Sequence, residues 1–312
     1  MTALALHTTD LTLRYGATTA LDAVDLRLGA GRIHGLLGRN GAGKTSLLSL
    51  AASLLQPTSG RLEVSGPSGG GDPFEREALM EQICLIRESG DVVDDEKIEV
   101  TLEIAHLGRP TFDRPYAESI LAEFGVSPKA KPGALSRGQR SALGAALGLA
   151  ARAPLTMFDE VHLGMDAPSR QRFADLLIAD FAAHPRTVIL STHLIEEVEP
   201  LLETVTILDR GRVLLSAEAD DLRGRGWTLT GPVGAVDAAG AGLDVIGVRD
   251  LGPTRQVTVY GALDDARADT LQRQGLTVGA VGLQDLFIRL TDPARGAGGR
   301  DQTPATTPQE AS

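Results

Sequence analysis

Gly38-Arg39-Asn40-Gly41-Ala42-Gly43-Lys44-Thr45 interrupts an otherwise apolar stretch of the chain and fits the pattern G-x-x-x-x-G-K-[ST]. Arg32–Leu37 before it reads as a buried strand, and the helically spaced run after it, through Ala52 and ending before Pro57, reads as a helix. A glycine-rich turn in that setting lets successive N–H groups point inward around a phosphate, with the helix dipole adding to the field. Lys44 then reaches the terminal phosphates, and Thr45 offers a hydroxyl to a magnesium ion.

Outward from this loop, Leu11–Leu13, Ala23–Leu28, Arg61–Val64 and Ile83–Ile86 read as strands, with a glycine-rich surface loop at Gly66–Asp72. From Val92 to Ala151 the pattern is helical (Thr101–Leu107, Tyr116–Phe124 and Gly138–Ala151), as expected of an inserted helical subdomain at about residues 90–152. Strands return at Leu155–Phe158, Thr187–Ser191 and Val205–Leu208, and Asp209-Arg210-Gly211-Arg212 turns tightly into Val213–Ser216. This alternation implies a largely parallel sheet covered on both faces, the α/β class. Beyond Gly224, strands at Trp227–Leu229, Asp244–Val248, Gln256–Tyr260 and Leu276–Val281, with helices at Ala262–Gln274 and Leu283–Leu290, suggest a small α+β domain at 226–291 after a first domain at 1–222. Residues 292–312 lack large apolar side chains and read as a disordered tail.

Composition limits what such a chain does. Among 312 residues, 30 Lys and Arg face 41 Asp and Glu, a net charge of −11 that argues against nonspecific nucleic-acid binding. No run approaches the roughly 20 apolar residues of a membrane span. The single cysteine, Cys84, excludes an internal disulfide, and the first positive side chain is Arg14, so no secretory leader is expected and the chain reads as cytoplasmic. The six histidines are scattered and have no cysteine partners, which disfavours structural zinc.

Three further motifs carry chemistry. Leu155-Thr156-Met157-Phe158-Asp159-Glu160 is a buried strand ending in two carboxylates; beside a phosphate loop the first can hold Mg²⁺ and the second can orient or deprotonate water. Leu135-Ser136-Arg137-Gly138-Gln139 opens a small-residue helix, so Ser136 stands at a helix N-terminus. Ser191-Thr192-His193 follows a strand. Gly66-Pro67-Ser68-Gly69-Gly70 matches G-x-S-x-G but reads as a loop, the acidic stretch Asp91–Glu99 reads as solvated, and His162 reads as a surface residue.

In this order the motifs resemble the ATP-binding cassette (ABC) family, the nucleotide-binding subunits of ABC transporters, over about residues 4–220. The resemblance implies a P-loop, RecA-like ATPase core with an inserted helical subdomain. Tyr15 matches the aromatic that stacks on adenine, Gly38–Ser46 the Walker A segment, Ser136, Gly138 and Gln139 the signature, Asp159 and Glu160 the Walker B pair, Asp166 the D-loop and His193 the switch histidine. ATP would then contact Tyr15, Gly38, Arg39, Asn40, Gly41, Ala42, Gly43, Lys44, Thr45 and Ser46, together with Ser136, Gly138, Gln139 and Asp166. Glu160 and His193 would be catalytic, and Thr45, Asp159 and Glu88 would hold Mg²⁺.

The resemblance further implies two cassettes packed head to tail, as a homodimer or a heterodimer with a second ABC ATPase, at the cytoplasmic face of the membrane beside a separately encoded permease. The C-terminal extension resembles that of ABC-2 type exporters. Three positions depart from the family pattern: Glu88 where glutamine is usual, Arg137 where glycine is usual, and Val161-His162 where Pro-Thr is usual. The alternative function is a soluble ABC-type clamp on nucleic acid or ribosomes, but the chain has one Walker A and no sustained heptads. A GTPase would carry Asn-Lys-x-Asp, which is absent from the sequence.

Overall fold

The computed structural model describes residues 3–67, 69–88 and 92–292. Ser68 in the G-x-S-x-G match, Asp91 at the start of the acidic stretch, and the expected tail from residue 293 lie outside the described residues. The chain divides into two compact units between Arg223 and Gly224.

The first unit runs β1 (Ala5–Tyr15), β2 (Thr18–Leu28), β3 (Ile33–Gly38), α1 (Lys44–Ala51), β4 (Ser59–Gly66), β5 (Gly69–Gly71), α2 (Glu77–Met80) and β6 (Ile83–Arg87). It continues α3 (Ile98–Gly108), α4 (Arg114–Glu123), α5 (Arg137–Ala151), β7 (Leu155–Asp159), α6 (Ala167–Ala183), β8 (Thr187–Thr192), β9 (Thr204–Asp209), β10 (Arg212–Glu218) and α7 (Ala219–Arg223). Two sheets result rather than the single one expected. β10-β9-β3-β8-β7-β6 is parallel except for its β10 edge, whereas β2-β1-β4-β5 is a separate antiparallel sheet. Part of the expected glycine loop is the short strand β5, paired with β4.

β1 is longer than its sequence pattern suggests because its alternation changes phase. Leu6 and Thr8 are buried, Asp10 adopts φ 48°, and a register shift then turns Leu11 and Leu13 inward. β3 and β8 are buried along their whole length, as befits central parallel strands covered on both faces. α1 buries Leu47, Leu48 and Leu50, each worth about 1.5–3 kcal/mol of apolar transfer. α5 lies close to the sheet through Gly148, where a Cβ would meet the Phe158 ring at 2.3 Å and Ile86 at 2.9 Å.

A buried charge network joins α4, α5, α6 and the approach to β8. Arg186 is fully buried and ion-paired with Asp180 at 2.7 Å, at angles outside hydrogen-bond geometry. Arg152, just after α5, reaches Asp180 at 3.4 Å and Asp113 at 2.9 Å, and its guanidinium stacks over Tyr116.

The parallel register positions the site. Leu37 is level with Thr192, and Asp159 with both Ser191 and Arg87. The phosphate loop after β3, the acids ending β7 and the Ser-Thr-His run ending β8 therefore emerge at the same, C-terminal edge of the sheet, where α/β sheets bind ligands.

The second unit contains β11 (Gly226–Pro232), α8 (Val233–Gly240), β12 (Asp244–Leu251), β13 (Thr254–Tyr260), α9 (Asp265–Arg273), β14 (Thr277–Ala280) and α10 (Leu283–Leu290). Its antiparallel sheet, ordered β12-β13-β11-β14, packs Trp227, Leu229, Val257 and Val259 with Val236 of α8 and Leu271 of α9. α8 is absent from the sequence reading because its glycines and small residues carry little helical signal.

Candidate active site

The phosphate loop is shaped by glycines that other residues could not replace. Gly43 caps α1 with φ 106°, and a Cβ there would lie 2.6 Å from the Ala20 carbonyl oxygen. The two-residue hairpin turn Arg210-Gly211, with φ 48° and 77°, braces the loop, since Gly211 N–H donates to the Ala42 carbonyl at 2.9 Å.

A cleft of about 390 Å³ opens over this loop, lined by Thr18, Thr19 and Ala20, by Asn40 to Ser46, and by Glu160. Lys44 is buried there. Its Nζ donates to the Gly38 carbonyl at 2.8 Å and lies 3.1 Å from Glu160 Oε1. Thr45 Oγ1 donates to Asp159 Oδ2, and Ser191 Oγ donates to Asp159 Oδ1, each at 2.6 Å. His193 Nδ1 lies 3.3 Å from the same Glu160 oxygen that faces Lys44. Glu160 sits in the left-handed region at φ 56°, with its N–H bonded to the Ser191 carbonyl. Burial would raise its carboxyl, but Lys44 and His193 outweigh that and hold it below the usual carboxylate range.

A magnesium ion fits this donor set. Thr45 and Asp159 present one hydroxyl and one carboxylate side by side, the sparse oxygen set of an ion whose other ligands are water and phosphate. Among the described residues there is no cluster of three or more His, Cys, Asp or Glu that could hold a metal without such help.

The remaining expected residues lie elsewhere on the chain. Tyr15 is half-exposed at the end of β1, outside the cleft lining. Ser136 caps α5: its Oγ accepts from Gln139 N–H at 3.2 Å, while Gln139 Oε1 accepts from Ser136 N–H at 3.1 Å. Gly138 packs toward the Gly164 carbonyl, and Asp166 caps α6 by accepting from Ser169 N–H at 2.9 Å. None of these lines the cleft. Glu88, expected to approach the metal, also lies outside the lining and is ion-paired with Arg137, whose side chain therefore turns toward the end of β6.

His162 is not a surface residue. It is buried, and its Nε2 lies 2.9 Å from Thr192 Oγ1. Burial, reinforced by Arg170, pushes its pKa down to about 4. The sequence reading also left Thr18, Thr19 and Ala20 without a role, since nothing local marks a β-hairpin end as a cleft wall. Ser191 was legible in its Ser-Thr-His run, but its bond to Asp159 was not.

A phosphate loop, a hydroxyl–carboxylate pair and a Lys–Glu–His chain at the end of a parallel sheet define a P-loop ATPase. An ABC transporter family model matches residues 21–162. The chain is 32% identical to the daunorubicin resistance ATP-binding protein DrrA3 of Streptomyces coeruleorubidus, across 67% of each chain. It is 30% identical to DrrA2 of the same organism, across 89% of this chain and 92% of that one. A methionine import ATP-binding protein, MetN of Mesorhizobium japonicum, is 32% identical across 66% of this chain and 58% of its own. In fold it is similar to an ATP-binding subunit of an ABC transporter, with a TM-score of 0.62 and 24% identity over 70% of this chain and 91% of that one. A cassette solved as a dimer in a post-hydrolysis state with ADP and Pi matches with a TM-score of 0.59 and 20% identity, over 69% of this chain and 98% of that one. The chain belongs to the ABC transporter ATP-binding family and is an ATP-hydrolysing cassette.

Proposed function

We propose that this cassette drives an exporter: two copies, or one copy and a sister cassette, close on MgATP and move a separately encoded permease at the inner face of the membrane. The observation that carries this reading is the division of the site. Lys44, Thr45 and Glu160 line one cleft, and Asp159 and His193 stand just behind it, joined to Thr45 and Glu160, while the Ser136–Gln139 helix tip of the same chain lies outside its lining and, among the described residues, is joined to it by no such bond. A second cassette would complete the cleft with that tip, whose N–H groups supply positive field to the terminal phosphate.

Within the cleft, Lys44 leaves Glu160 to bind the phosphates, Thr45 and Asp159 hold Mg²⁺, Glu160 accepts the proton of the attacking water, and His193 keeps Glu160 and the water aligned. Export is favoured over import by the extent of the similarity. The alignment with DrrA2, named for daunorubicin resistance, covers 89% of this chain and so continues into the second unit, whereas that with the importer MetN covers 66%. No helix among the described residues is long and apolar enough to cross a membrane.

Glu160→Gln tests the site. Hydrolysis should fall by about 10² to 10⁴ while MgATP stays bound and a dimer persists in size-exclusion chromatography; normal turnover would refute the assignment. Reconstitution with a candidate membrane permease tests coupling, because an exporter ATPase should be stimulated by that partner and by its cargo.

A further inference from the structure

His162 occupies a position where the family pattern has a different residue, and it does not line the cleft. It stands two residues past Glu160, and in the fold it reaches across to the end of β8. The ends of β7 and β8 are cross-linked at successive levels. Asp159 accepts from Ser191 Oγ, Glu160 N–H donates to the Ser191 carbonyl, and His162 Nε2 meets Thr192 Oγ1 at 2.9 Å.

The hydroxyl of Thr192 is the hinge of this arrangement. It accepts the Leu194 N–H at 2.9 Å, closing a turn around His193. A threonine hydroxyl has one proton to give. Its oxygen keeps a second lone pair beside the Leu194 N–H, so Thr192 either donates to Nε2 of His162 or accepts the Nε2 proton while donating to the Leu194 carbonyl at 3.5 Å; in both arrangements the 2.9 Å bond to the imidazole fixes the hydroxyl. The imidazole thereby sets the rotamer of Thr192, Thr192 sets the turn, and the turn carries His193 to within 3.3 Å of Glu160.

We infer that His162 is a positioning residue for ATP hydrolysis, holding His193 on Glu160 through Thr192. This rests on the proposed roles of Glu160 and His193. A buried imidazole placed only to fill space would be replaceable by phenylalanine without loss of turnover; one that holds a hydroxyl by a hydrogen bond would not.

The experiment measures kcat, KM and equilibrium ATP affinity for the full chain carrying His162→Phe, His162→Gln or Thr192→Val, with Glu160→Gln alongside. His162→Phe should lower kcat about tenfold or more with KM and ATP affinity within about twofold of wild type. Glutamine, whose amide can accept the same hydroxyl, should recover kcat to within about threefold. Thr192→Val, nearly isosteric, should reproduce the phenylalanine loss and decides the matter if His162→Phe does not fold. Wild-type kcat in His162→Phe or Thr192→Val would overturn the inference, as would a joint fall of kcat and affinity that glutamine does not relieve. Normal hydrolysis by Glu160→Gln would remove the parent assignment, whereas a dead Glu160→Gln beside a fully active His162→Phe would remove this inference alone.

Discussion

The Glu88 carboxylate, just beyond β6, is ion-paired with the guanidinium of Arg137 in the first turn of α5. Both residues depart from the family pattern, and each answers the other's charge. Asp94 and Arg140 repeat the pairing one helical turn on, so the segment after β6 is tied to the signature helix twice. With side chains 41% and 69% exposed, the Glu88–Arg137 pair is a surface contact worth at most about 1 kcal/mol and is easily exchanged.

Arg137→Ala should therefore leave unfolding free energy within about 1 kcal/mol of wild type while freeing Glu88. If Glu88 can reach the metal, the Mg²⁺ concentration for half-maximal nucleotide binding will fall in this variant. An unchanged Mg²⁺ titration would show that Glu88 takes no part in the metal site.

Lys44 and Glu160 are partners at 3.1 Å before phosphate competes for the lysine. Lys44 lowers the Glu160 pKa against the effect of burial, so drawing it to a phosphate raises that pKa. The acid limb of kcat, which reports the bound complex, should thus lie at higher pH than that of kcat/KM, which reports the free enzyme. Coincident limbs would show that the two groups separate little on binding. Lys44→Ala should weaken MgATP binding itself, as equilibrium titration would reveal.

Buried His162 titrates near 4 instead of 6.5. Between those values the unfolded chain binds the proton that the folded one refuses, so stability falls as pH drops from 6.5 toward 4, by about 3 kcal/mol for this group. His34, also buried and pushed down, adds to the slope. Chemical denaturation of His162→Gln across this window should show a shallower decline than wild type; identical slopes would contradict a neutral buried His162.

Asp180 faces Arg186 at 2.7 Å and Arg152 at 3.4 Å in a site closed to solvent. Asp180→Ala leaves the fully buried Arg186 charge without its carboxylate and should cost about 3–5 kcal/mol, read as a lower urea midpoint with an unchanged slope. A loss below about 1 kcal/mol would mean that the network relaxes around the missing carboxylate.

Much of the site was legible before the fold was known, but as separate segments. The phosphate loop reads itself because glycine spacing, a preceding strand and a following helix all lie within about twenty consecutive residues. The capping box of Ser136 and Gln139 is equally local. By contrast the antiparallel sheet was missed because the alternation of β1 breaks phase at Asp10 and its partner β4 comes after β3 and α1. The burial of His162 was missed because a lone polar residue after two acids looks solvated; only the nearby end of β8 encloses it.

The sequence by itself determined the chemistry available: which residues could cradle a phosphate, hold Mg²⁺ and take a proton, each encoded in short runs whose backbone geometry depends on near neighbours. The tertiary structure decided which of these groups meet. Lys44 reaches Glu160, Arg137 reaches Glu88, and His162 reaches Thr192 because parallel strand order and helix packing bring distant segments to one edge of a sheet. Those pairings are free-energy differences of the whole packed chain, which no local window contains.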